Sequence, residues 1–88
     1  YIRKNFHGVQ LHEIILGLQK NLNVAVYADP ELNWFQMREI RYGLEQGLDV
    51  KVYAKPCFSQ KQMEVLRKGL LEGIDVTEFA KEYFEPEQ

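Results

Sequence analysis

The chain holds 88 residues, 45% apolar and 27% charged, with a formal net charge of −2. This composition describes one small globular domain: it excludes wholesale disorder, gives no basic excess of the kind that marks a dedicated nucleic-acid binder, and contains no apolar run of about 18 residues to cross a membrane. The single cysteine, Cys57, excludes an internal disulfide framework and a Cys-rich zinc site, and fits a reducing, cytoplasmic setting.

Shifted by 26 residues, the sequence aligns with itself without gaps. Gln10, Gln36 and Gln62 fall in register, as do Gly17, Gly43 and Gly69, Leu18, Leu44 and Leu70, Val24, Val50 and Val76, and Ala28, Ala54 and Ala80. The units run over 6–31, 32–57 and 58–83, with a tail at 84–88. Residues 1–5 read as the worn end of an earlier unit, because Tyr1 precedes Tyr27 by the same interval, so the chain is expected to belong to a longer array.

Taken in chain order, unit one places His7 in a helix N-cap slot with Gln10 three residues on, and Asn21 where the helix must end in a left-handed residue. Unit two repeats the pattern with Asn33 and Gln36, a relative of the capping box, followed by Met37, Ile40 and Leu44 at helical spacing and Gly47 as the left-handed terminator. A helix of about 13 residues is predicted. The stretch Asp49–Tyr53 then alternates like a strand, and a helix-plus-strand unit would resemble a leucine-rich-repeat horseshoe. The shared positions Val50, Tyr53 and Ala54, however, stand at i, i+3 and i+4, and Glu78 falls where a buried strand would need an apolar residue. A short second helix, N-capped by Asp49 or Asp75, is therefore preferred. Unit three opens with Ser59 and Gln62, and its second helix is predicted over 75–84, stopping before Pro86. The expected fold is all-α: three stacked helix–turn–short-helix units of 26 residues forming a small solenoid-like array.

The string from Gly43 to Pro56, preceded by Gln36-Met37-Arg38-Glu39-Ile40-Arg41, resembles short tandem helical repeats of uncharacterised bacterial proteins, often linked to mobile elements. The resemblance covers nearly the whole chain and is most specific in unit two. It implies a bacterial, cytoplasmic source and brings no catalytic residues with it. It also implies a regulatory inhibitor of a mobile element as a further possibility.

The repeated polar residues have structural readings. Gln10, Gln36 and Gln62 fit capping boxes better than an amide ladder for a ligand, and Gly17, Gly43 and Gly69 fit a close helix crossing better than a phosphate cradle. His7 and His12 are five apart, which is not the spacing of a helical metal pair, and with Glu13 they supply too few ligands; no cofactor is expected. Cys57 has no histidine near it in sequence. Asp49 and Asp75 read as caps and Glu45 and Glu72 as solvated, so paired-carboxylate catalysis, and an enzyme, are not expected.

Positions that differ between units are free for recognition. Unit two carries Trp34, Phe35, Arg38, Arg41 and Tyr42, with Trp34, Arg38 and Arg41 on one helix face and Phe35 and Tyr42 on its neighbour. Aromatics and arginine together suit a protein hot spot, or the stacking of single-stranded nucleic acid, while the plainer reading packs Trp34 and Phe35 on unit one beside Gly8. Unit one also presents Ile15 and Leu16, a face for an upstream unit or another copy of the chain. The expected function is a non-catalytic protein-interaction or scaffold module, with a nucleic-acid-associated module as the alternative. An apolar groove near Ile15, Trp34 and Phe35 would favour the first; a cluster of Arg38, Arg41, Arg67 and Lys68 would favour the second.

Overall fold

Each of the three long helices begins at a residue whose backbone N–H donates to the glutamine three residues on. At Asn33 the side-chain Oδ1 accepts from the Gln36 N–H (2.9 Å), while the Asn33 N–H donates to Gln36 Oε1 (2.8 Å). Ser59 and Gln62 repeat the exchange at 3.2 and 2.8 Å, and the His7 N–H donates to Gln10 Oε1 at 2.7 Å. The computed structural model describes residues 6–76. Within them lie α1 (Gly8–Gln19), α2 (Trp34–Glu45) and α3 (Gln60–Leu71), separated by single 3-10 turns at Val24–Val26 and Val50–Val52, with no strand among the described residues. The remnant at 1–5, the body of the helix expected over 75–84 and the tail at 84–88 lie outside the described residues.

The helix ends follow the turn chemistry read from the sequence. Asn21, Gly47 and Gly73 have φ of 58°, 73° and 80°, and in each case the next N–H reaches back to a helical glycine: Leu22 to Gly17 O, Leu48 to Gly43 O, and Ile74 to Gly69 O, all at 2.9 Å. This is a Schellman closure, which satisfies carbonyls the helix leaves open. The strand alternative for Asp49–Tyr53 is set aside by the 3-10 geometry, in which Tyr53 N–H bonds Val50 O at 3.0 Å. Asp49 stands at the predicted N-cap position, but its side chain makes no capping bond; the turn is held instead by backbone bonds and by what Val50 and Tyr53 bury.

Those two residues also explain the helical glycines. A methyl group at Gly43 would meet Tyr53 Oη and come within 2.6 Å of Val50 Cγ1; at Gly17 the obstacles are Tyr27 Oη and Val24 Cγ1. The expected helix crossing is thus corrected: the space is taken by the unit's own 3-10 turn folding back on its helix. The tyrosine hydroxyls end at backbone carbonyls of the same helix, Tyr27 Oη on Glu13 O (2.6 Å) and Tyr53 Oη on Glu39 O (2.8 Å). Around them lie Ile14, Leu32, Met37, Ile40, Phe58, Met63 and Leu66, all buried in one cluster. Each such side chain contributes about 1.5–3 kcal/mol on burial.

The glutamines do more than cap. Gln10 Nε2 donates forward to Leu32 O (2.6 Å) and Pro30 O (3.3 Å), and Gln36 Nε2 donates to Phe58 O (2.6 Å) and Pro56 O (3.2 Å). A glutamate could accept at the cap but could not donate, so the amide is what ties the starts of α1 and α2 to the entries of the helices that follow them.

The glycine contact generates a contrast. Gly43→Ala gains helix propensity, yet must displace Tyr53 and Val50, and is expected to lose about 1–3 kcal/mol in urea unfolding. Gly8→Ala, where nothing lies within 4 Å of the added methyl, is expected to hold stability or raise it by up to about 1 kcal/mol.

Candidate functional site

The helices are joined by two buried carboxylates. Glu13 Oε1 accepts from Arg41 Nε at 2.7 Å, and its Oε2 accepts from the Trp34 indole N–H at 2.9 Å. Glu39 repeats this 26 residues on, accepting from Arg67 Nε at 2.8 Å and from Gln60 Nε2 at 3.1 Å. Both carboxylates are buried, and a buried charge persists only when paired and hydrogen-bonded. Arg41 is further held by Glu45, which also meets Lys20 Nζ at 3.2 Å. Burial pushes the Arg41 pKa down, and its bonds to Glu13 and Glu45 more than reverse that, so it stays a cation. Glu45, predicted to be merely solvated, is exposed but is this second anchor for Arg41.

This arrangement divides the sequence-predicted set. Arg41 is buried in the ion pair and does not share an open face with Trp34 and Arg38. Trp34 is half-buried, with its N–H committed to Glu13, while the space beside Gly8 that the packing reading gave to Trp34 and Phe35 stays open. Phe35 is exposed, and its ring meets that of Trp34 edge-on at 4.6 Å. Arg38 lies over both rings, its Cζ 4.8 Å from the Trp34 centroid and 5.4 Å from that of Phe35. Its Nε is buried without a hydrogen-bond partner, and among the described arginines it alone has no carboxylate partner. The Tyr42 ring collects Arg41, Arg67 and Arg38 at 5.0, 5.5 and 5.9 Å.

Beside this platform, where the starts of α1 and α2 lie next to each other, the surface opens into an apolar hollow of about 440 Å³ bordered by His7, Val9, Pro30, Leu32, Trp34 and Phe35. Val9 takes the place expected for Ile15, which is exposed elsewhere on α1. Of the cationic set Arg38, Arg41, Arg67 and Lys68, the three arginines do gather around Tyr42, but Arg41 and Arg67 are paired with Glu13 and Glu39 and Lys68 approaches Glu64 at 3.8 Å.

The other singled-out residues stay apart. Cys57 is exposed in a turn, His7 and His12 are exposed, and no three His, Cys, Asp or Glu side chains are grouped for a metal among the described residues. No helix among the described residues is long and apolar enough to cross a membrane. From the sequence, Glu13 is weighed only as a metal ligand and Glu39 is not singled out. The available signal was their common register together with Arg41 and Arg67, which share theirs.

No family model, no curated protein and no solved structure matches the chain.

Removing a carboxylate from inside this interface should tell the two pairs apart. Glu39→Ala leaves Arg67 with no carboxylate and only the Gln46 amide oxygen (3.2 Å), and is expected to cost about 3–5 kcal/mol, whereas Glu13→Ala should cost less because the Glu45 carboxylate still holds Arg41. Chemical denaturation of both variants measures the difference.

Alkali should act through the tyrosines. Burial pushes Tyr27 up to about 12, against the attraction of Arg41, and raises Tyr53 as well. The folded state therefore holds these protons more tightly than the unfolded chain, whose tyrosines titrate near about 10. Stability is expected to be intact below about pH 10 and to fall as pH rises from there, with a shallower fall in Tyr27→Phe/Tyr53→Phe. Melting followed by circular dichroism over about pH 9–12 checks the sign.

Proposed function

We propose that the chain is a non-catalytic helical-repeat module, its helix–turn units stacked as a short solenoid, that binds a protein segment along the apolar hollow beside Trp34 and Phe35. The carrying observation is Arg38. It is a half-buried cation with no carboxylate partner among the described residues, stacked on Trp34 and Phe35, the two aromatic rings that border the apolar groove. Rigid aromatic and arginine side chains around a desolvated pocket are what protein interfaces use as anchors. The partner chemistry this favours is an extended segment with an apolar side chain for the groove and an acidic group for Arg38. A bacterial, cytoplasmic setting accompanies this reading through the sequence resemblance alone.

A second reading takes single-stranded nucleic acid stacked on Phe35 and Trp34 with Arg38 at a phosphate. The Arg–aromatic stack favours it. The pairing of Arg41 and Arg67 with carboxylates counts against it, since phosphate binding draws on unpaired cations.

Trp34 is the single tryptophan and reports directly on this groove. Peptides selected from a displayed library are expected to change its fluorescence, and Phe35→Ala and Arg38→Ala to weaken them about tenfold or more. Selected peptides that ignore both substitutions would overturn the protein-binding reading. Labelled oligonucleotides that bind at about 50 mM salt, and release at about 200 mM, would replace it with the second.

A further inference from the structure

The Glu-to-Arg coupling joins unit one to unit two and unit two to unit three, and at both outer ends its partners are replaced by apolar residues. Unit one has Ile15 in the register of Arg41 and Arg67; unit three has Val65 in the register of Glu13 and Glu39. Ile15 is 50% exposed and Val65 38%, whereas the two internal carboxylates and Arg41 are buried.

The residues around them change exposure in the same sense. On α1, Leu11 is half-buried, while Met37 and Met63, its counterparts, are fully buried; Leu18 is 49% exposed, while Leu44 and Leu70 pack against the core. Leu11, Ile15 and Leu18 form one stripe at i, i+4 and i+7. At the other end Ile74 is 52% exposed, while Leu22 and Leu48 are half-buried. Val65 and Ile74 border an apolar hollow beside Gly69. Among the described residues, the face that α2 and α3 turn to the unit before them is thus open on α1, and the face that α1 and α2 turn to the unit after them is open on α3.

Among the described residues the two outer faces are apolar, and they are complementary: the residue replaced on one is the ion-pair partner of the residue replaced on the other. Within the chain the pair forms between groups already held together. Across two separate chains, desolvating a carboxylate and a guanidinium would offset most of the gain, whereas an apolar pair gains from contact.

We propose that a second copy of the chain docks its unit one on unit three, Ile15 against Val65, continuing the internal helix stacking head to tail. The occupant follows from continuity, since each open face is the one already used between units, and from the matched replacement of both coupling residues. An upstream unit built like units one and two would bring a carboxylate against Ile15, which has nothing to offer it. The contact is heterologous, so it extends rather than closes. It stands independently of the Trp34 groove.

Sedimentation equilibrium of the full chain from micromolar to millimolar concentration tests this, with Ile15→Arg and Val65→Glu as single variants and as a mixture. The wild type is expected to gain mass with concentration, and each variant to associate about tenfold or more weakly. In the mixture the untouched Val65 face of the Ile15→Arg chain meets the untouched Ile15 face of the Val65→Glu chain as in the wild type, whereas the two substituted faces meet as a charged pair whose desolvation offsets most of its gain. A defined one-to-one complex is therefore expected, where neither variant alone goes beyond a monomer. A wild type that stays monomeric throughout would overturn the proposal and leave the two faces to other segments or other proteins. So would association that survives both substitutions, or folded variants that form no mixed complex. Where a charged variant loses its helical circular dichroism, Ile15→Gln and Val65→Gln take its place, with weakened association expected and unchanged association counting against the contact.

Discussion

Two buried carboxylates set the terms for the rest of this protein. Glu13 and Glu39 are taken out of water inside a chain too small to build a deep core, and each must be matched or the fold loses the cost of an unpaired buried charge. The matching donors come from the next helix along: Arg41 and Trp34 for Glu13, Arg67 and Gln60 for Glu39. Apolar packing alone would allow neighbouring helices to slide. A carboxylate with two directional donors does not, and so the offset between α1 and α2 recurs in chemical detail between α2 and α3.

The same economy runs through the smaller polar contacts. One glutamine side chain closes a helix cap with its oxygen and holds the entry of the next helix with its nitrogen. One tyrosine fills the space over a glycine and ends its hydroxyl on a carbonyl of the helix it covers. These groups are polar, repeated and buried, and each has its partners. Their recurrence across the chain serves the joining of short helices.

What the interface consumes decides what the surface offers. Arg41 and Arg67 are spent on carboxylates, leaving Arg38 on its aromatic neighbours as the cation with unused bonding capacity beside an apolar hollow. At the chain's two open faces the coupling residues are absent, and apolar side chains stand in their place. Groove and end faces are separate consequences of one pattern of pairing.

The helix starts, the left-handed terminators and the single all-α class were legible in the sequence, because capping and helix periodicity are local: Asn33 with Gln36, or Gly47 with Leu48, need nothing beyond a few residues to act. The short second element was legible as helical from the spacing of Val50, Tyr53 and Ala54, although its 3-10 form and the idle Asp49 side chain depend on how Tyr53 is buried. The fate of the arginines was not legible. Helical spacing puts Trp34, Arg38 and Arg41 along one side of α2, but Arg41 is claimed by Glu13, 28 residues away, and Trp34 by the same carboxylate. The sequence by itself determined where helices begin and stop and which positions recur. Only the tertiary structure decided which of the recurring charges meet, since that depends on the offset between helices, and with it which aromatic and cationic side chains remain open to a partner.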